Sequence, residues 1–109
     1  MDAAALLRLV SEQTRHAILS ELRNGQKTVG ELVERLHDEQ TNVSHHLADL
    51  RLAGLVLAQK EGRLQRYRLS DPEVGRLLDQ VEALAARLDQ VAYSSALGIP
   101  PGAGFQGYG

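Results

Sequence analysis

The apolar residues of this chain change period at Gly54, and that switch constrains the fold more than any other feature. Before it they recur at helical spacing: Val43, Leu47 and Leu50 share one face of a helix expected over residues 40–53, with Gly54 as its stop. After it, residues 55–61 and 63–69 form two short runs about Gly62 that read as a β-hairpin. In the second run Gln65, Tyr67 and Leu69 share one face, while Arg66 and Arg68 point the other way. Ser70-Asp71-Pro72 then opens a last helix, roughly Pro72–Ala96. Its stripe of Val74, Leu77, Leu78, Val81, Leu84, Ala85, Leu88 and Val91 is long for so small a domain and asks for a partner helix.

Upstream of residue 40 the pattern is helical throughout. Residues 3–10 form a short helix rich in alanine and leucine. Ser11 is the expected N-cap of a second helix, whose stripe is Ala17, Ile18, Leu19 and Leu22 and which Asn24-Gly25 ends. Thr28 with Glu31 forms a capping box that opens a third helix, Val29–Leu36. His37-Asp38-Glu39 is a tight connection to the fourth. The fold class is therefore mostly α with a small β-hairpin, a winged helix-turn-helix of four helices, two strands and a fifth helix. Residues 1–97 are expected to form one domain and residues 98–109, with five glycines and two prolines, a flexible tail in which Phe105 and Tyr108 are the candidates to dock.

Composition closes off several functions. The chain has no cysteine, so it has no disulfide, thiolate metal site or cysteine nucleophile. No apolar run approaches the roughly 18 residues of a membrane span. The Met1-Asp2 start shows no secretory pattern, which gives the expectation of a soluble cytoplasmic protein. Nucleophile elbow, phosphate loop and zinc-hydrolase motifs do not occur, so an enzyme is not expected.

The third helix, the turn and the fourth helix have the lengths of a helix-turn-helix, whose second helix enters a DNA major groove. With Val43, Leu47 and Leu50 inward, Gln40, Thr41, Ser44, His45 and Ala48 project outward, and Asn42 lies at the edge. Gln40, Thr41, Asn42, Ser44 and His45 are donors and acceptors suited to base edges, and the small Ala48 lets the helix sit deep. Residues 40–46 carry no formal charge, whereas an ordinary exposed helix is rich in Glu and Lys. The overall net charge is −2, but residues 39–69 hold five basic residues against three acidic. Those five, Arg51, Lys60, Arg63, Arg66 and Arg68, are the expected phosphate contacts. A merely solvated basic hairpin is the plain alternative.

Thr14-Arg15, Ile18-Leu19, Val29, Glu31-Leu32, Val43-Ser44-His45-His46-Leu47, Leu50, Ala53-Gly54-Leu55-Val56, Glu61-Gly62-Arg63 and Tyr67-Arg68-Leu69 together resemble the ArsR/SmtB family of winged-helix repressors. The resemblance covers roughly residues 10–70, and residues 43–56 are its most specific part. It implies a bacterial, dimeric, sequence-specific transcriptional regulator that reads an inverted-repeat operator and releases it when an effector binds. It also implies a dimer interface from the first and last helices, here Leu6, Leu7, Val10, Leu77, Val81, Leu84, Leu88 and Val91. The chain departs from the family at Asp38, where an apolar residue is usual; an N-cap of the fourth helix is the expected use.

Many members of that family sense metals. The family's thiolate site maps to Thr28-Val29-Gly30-Glu31-Leu32, which has no cysteine. Its other site pairs Asp with His on the last helix, where this chain has Asp79, Glu82 and Asp89 but no histidine. His45 and His46 sit about 100° apart on a helix and chelate poorly together, so His46 reads as a structural contact. His37 with Asp38 and Glu34 reads as a solvated turn more readily than as a site. His16 is the remaining candidate: with Asp2 or Glu12 it would give nitrogen and oxygen ligands to nickel, cobalt or zinc at a dimer seam. No cofactor is assured. The competing functional class is a winged-helix interaction module, in which the reading face would carry acids or large apolar groups; a regulator controlled by a separate sensor partner is the further alternative.

Overall fold

The computed structural model describes residues 1–98; the expectations for Phe105, Tyr108 and most of the tail lie outside them. The element order is α1 (Ala3–Ser11), α2 (Gln13–Leu22), β1 (Lys27–Thr28), α3 (Val29–Leu36), α4 (Gln40–Leu52), β2 (Val56–Glu61), β3 (Leu64–Leu69) and α5 (Pro72–Ala96). The chain divides into two compact units, Met1–Arg76 and the part from Leu77 onward, with the division inside α5.

In the first unit α2 packs on α1, α3 and α4, and α4 also packs on β2. The stripes read from the sequence are the core: Ile18 and Leu19 of α2, Leu32 of α3, Val43, Leu47 and Leu50 of α4 and Val56 of β2 are all fully buried. Each contributes about 1.5–3 kcal/mol relative to an exposed position. In the second unit Leu78 is buried, and Val81, Leu84 and Leu88 are exposed.

The hairpin is part of a three-stranded sheet in the order β1-β3-β2. β2 and β3 pair from Val56↔Leu69 to Glu61↔Leu64, with Gly62 in the turn. β1 adds Lys27↔Tyr67 and Thr28↔Arg66. Two residues are too few to show a period of two, so the sequence pattern missed this strand.

The helix ends hold two corrections. Ser11 ends α1, its hydroxyl donating to the Arg8 carbonyl, and Glu12 caps α2 by accepting from the Arg15 N–H at 2.8 Å. A carboxylate there also meets the positive end of the helix dipole. Asp38 is not the N-cap of α4; that position is Glu39, with no side-chain hydrogen bond of its own. Asp38 stands one residue earlier and accepts from the Glu39 N–H at 2.7 Å and the Asn42 amide at 2.9 Å. The capping box at Thr28 and Glu31 forms as expected, with reciprocal bonds of 3.2 and 3.0 Å. α4 ends in a left-handed Gly54 (φ +84°), with Gly54 N–H bonded to the Arg51 carbonyl and Leu55 N–H to that of Leu50. That pair of bonds is a Schellman motif, and it aims the chain directly into β2.

Candidate nucleic-acid interface

Burial of Val43, Leu47 and Leu50 fixes the rotation of α4, because residues at such spacings share a face. Gln40, Thr41, Ser44, His45 and Ala48 are left exposed, and Asn42 is half-buried. His45 is open to solvent, its Nε2 3.7 Å from an Asp49 carboxylate oxygen. Asn42 donates one amide hydrogen to Asp38, which leaves its carbonyl oxygen and its second N–H able to meet a base. The Glu39 N–H and the Asn42 amide hold the Asp38 carboxyl below its usual range, against a smaller effect of burial and with help from His46.

A groove runs beside this face, lined by Ser44, Ala48, Arg51, Leu52 and Tyr67. Tyr67 reaches it from β3, and its hydroxyl donates to Gln65 Oε1 at 3.0 Å. The sequence pattern placed Tyr67 on the face opposite the arginines but did not connect it to α4. An aromatic residue between two arginines was the available signal.

Five cations were expected to meet phosphate. Arg51, Lys60, Arg63 and Arg68 are exposed. Arg66 is different, with its Nε 3.1 Å from Glu61 Oε2 and its Nη1 3.6 Å from Glu31 Oε1. The unforeseen β1 is the reason: its Thr28↔Arg66 pairing brings the start of α3 beside β3. Arg66 thus braces the wing rather than extending freely from it.

His46 is a structural contact, as expected, with Nδ1 3.3 Å from Arg15 and 3.6 Å from Glu12. The expectation for His16 meets a difficulty in its partners. Asp2 caps α1 by accepting from the Ala5 N–H, and Glu12 caps α2. Burial opposes ionisation of Glu12, but the Arg15 and Thr14 N–H groups, with His46 and Arg15 charge, outweigh it and lower its pKa. Among the described residues no three His, Asp or Glu side chains gather as a metal site. Among the described residues, one chain by itself thus brings no second and third donor to His16 for nickel, cobalt or zinc.

The expected dimer residues divide by exposure. Leu7, Val81, Leu84 and Leu88 are exposed, and Leu6, Leu77 and Val91 half-buried. Val10 is 8% exposed and belongs to the core of its own chain. No described helix is long and apolar enough to cross a membrane.

The family profile described as "Bacterial regulatory protein, arsR family" matches residues 12–57, which run from the cap of α2 into β2. The HTH-type transcriptional repressor SmtB of Mycobacterium tuberculosis is 42% identical over 79 residues, which are 72% of this chain and 58% of that protein. The chain thus spans less than two thirds of that relative's length. The transcriptional activator HlyU of Vibrio cholerae is 36% identical over 81% of this chain and 82% of its own. Among solved structures, the homodimeric winged helix-turn-helix DNA-binding domain Mb0332 of Mycobacterium bovis superposes with a TM-score of 0.68. It is 30% identical and covers 80% of this chain and 88% of that one.

Proposed function

The chain belongs to the arsR family of bacterial regulatory proteins, and on that footing we propose that it is a dimeric, sequence-specific DNA-binding transcriptional regulator. It acts as a repressor on an inverted-repeat operator in the cytoplasm, with residues 1–97 as its DNA-binding and dimerisation domain. The observation that carries this reading is the uncharged, exposed hydrogen-bonding face of α4, held outward by three buried aliphatics beside a basic wing. Gln40, Thr41, Ser44 and His45, with Asn42, meet base edges. Arg51, Lys60, Arg63 and Arg68 neutralise phosphates, which sets affinity and register without reading sequence.

Two copies joined through Leu7 on α1 and the Leu77, Val81, Leu84, Leu88 and Val91 row on α5 would set two reading helices about 34–36 Å apart, one turn of DNA. Among the described residues of one chain no three His, Asp or Glu side chains gather. His16 offers one imidazole, so a divalent ion there draws its other donors from a second copy, and control by a separate sensor partner fits the same geometry. Enzymatic chemistry has no place in this reading.

The test is binding of the full chain to the duplex upstream of its own gene and to a scrambled duplex, over a range of salt. The expected result is a preference for the upstream duplex of about 10³-fold or more, with affinity falling steeply as salt rises. Equal affinity for both overturns the reading. Transcription from that duplex with and without the protein then separates repression from the activation named in the HlyU relative.

A further inference from the structure

Arg15 connects two helices that the proposed function uses differently. Its Nε donates at 2.6 Å to the Leu9 carbonyl. That carbonyl lies in the last turn of α1, where helix carbonyls have no partner within their own helix. Its Nη1 lies 3.3 Å from His46 Nδ1 and 3.9 Å from an Asp49 carboxylate oxygen, both in the middle of α4. The same His46 nitrogen is 3.6 Å from Glu12 Oε2, the oxygen that caps α2. The side chains of Arg15 and His46 are only 17% and 13% exposed, so solvent screens this network less than a surface pair.

Arg15 and His46 are turned away from the base-reading set, and Asp49 Oδ2, which Arg15 approaches, is also 3.7 Å from Nε2 of the exposed His45. His46 alternates with that set: Ser44 and His45 are exposed while His46 is held against α2. A guanidinium is a rigid planar fork, so one Arg15 side chain sets the distance between the end of α1 and the centre of α4. α1 also carries the exposed Leu7 of the proposed subunit seam.

We propose that Arg15 is a positioning residue that ties the C-terminal turn of α1 to the recognition helix, so that the setting of the subunit seam governs where each α4 presents its reading face. The proposal rests on the dimeric DNA-binding reading above. It adds a mechanical path between seam and DNA that no base or phosphate contact supplies.

The experiment compares two duplexes, one carrying both half-sites and one carrying a single half-site, recovered from a random pool by selection with the wild-type protein. The wild type prefers the two-site duplex. Arg15→Gln is expected to bind the single half-site within about twofold of wild type and to lose about tenfold of the two-site preference. Arg15→Lys behaves like Arg15→Gln, because one ammonium cannot span the same acceptors. His46→Leu, which keeps apolar bulk and removes the ring nitrogen, lowers the preference in the same direction and decides the matter where melting curves show that an Arg15 variant is unfolded. A folded Arg15→Gln with undiminished preference overturns the proposal, as does equal loss on both duplexes or full rescue by lysine. A wild type with no two-site preference overturns the dimeric-operator reading itself.

Discussion

Ser44 and His45 differ from Arg63 in what each can know about a DNA sequence. On the proposed reading, a hydroxyl or imidazole on the exposed face of α4 would meet donors and acceptors that change with the base pair, whereas a guanidinium at the wing tip would meet a phosphate that does not. Ser44→Ala or His45→Ala should therefore weaken operator binding by about 1–3 kcal/mol per half-site and leave random DNA nearly unaffected. Arg63→Ala should weaken both and lower the salt slope by about one. Anisotropy titrations on the two duplexes at several salt concentrations measure both effects, and parallel losses from all three variants would sink this division. Glu31 offers a second test, through pH. The Thr28 N–H and hydroxyl hold its carboxyl below the usual range, against a smaller desolvation effect and with help from Arg66 and Lys27. A carboxylate depressed in the folded state stabilises above its unfolded pKa, and that contribution disappears as pH falls through the folded value. Glu31→Gln retains the capping-box bond but not the charge. The wild type should be the more stable protein at about pH 7, with the gap closing as the pH falls below the ordinary carboxylate range. Denaturant midpoints across that range give the answer, and a constant gap would refute it.

Helices and strands were legible where their apolar period was long. The stripes of α2, α3 and α4 became the core, and the Thr28-Glu31 box opened α3 where expected. What was not legible involved groups without a period. β1 has two residues, and its consequence, the capture of Arg66 by Glu31, depends on a strand pairing that no local pattern announces. The use of Glu12 rather than Ser11 as a cap was a choice between two adjacent competent side chains. The link from Arg15 to His46 spans thirty-one positions, and only the packing of α2 on α4 brings the two together. The turn between α3 and α4 has a feature of its own. His37 adopts φ +52°, ψ +45°, a left-handed conformation that a side chain disfavours, while its N–H and that of Asp38 close on the Val33 carbonyl. Left-handed backbone costs a residue with a Cβ about 1–2 kcal/mol, and glycine escapes that strain while losing more chain entropy on folding. His37→Gly should thus raise stability by about 0.5–1 kcal/mol without moving α4. Chemical denaturation checks the sign; a loss of stability would mean that the imidazole makes a contact worth more than the strain.

At the scale of the assembled molecule, the question is what covers α5. Leu77, Val81, Leu84, Leu88 and Val91 recur at alternating intervals of four and three, the 3.5-residue repeat of a two-helix seam. Val81, Leu84 and Leu88 of that row are 42–55% exposed in the single chain. The proposed second copy would account for both facts, since a two-fold axis would place the same row against itself. The net charge of −2 supplies no general attraction to nucleic acid, so in the proposed dimer affinity for DNA would come from local cations used twice. Disrupting the row should then act on DNA binding from a distance. Leu84→Lys removes one buried leucine from each copy, a loss of about 3–6 kcal/mol for the pair before any cost of opposing two ammonium groups. The dimer dissociation constant should rise by more than about a hundredfold, and sedimentation should show monomers at micromolar concentration. Leu84 is 47% exposed in the single chain and lies outside the Met1–Arg76 unit, so the far-ultraviolet spectrum should be preserved. Operator affinity should fall toward that of a single half-site while the contacts of each half-site survive. A Leu84→Lys protein that sediments as a dimer and keeps its operator affinity would place the subunit seam elsewhere than on α5.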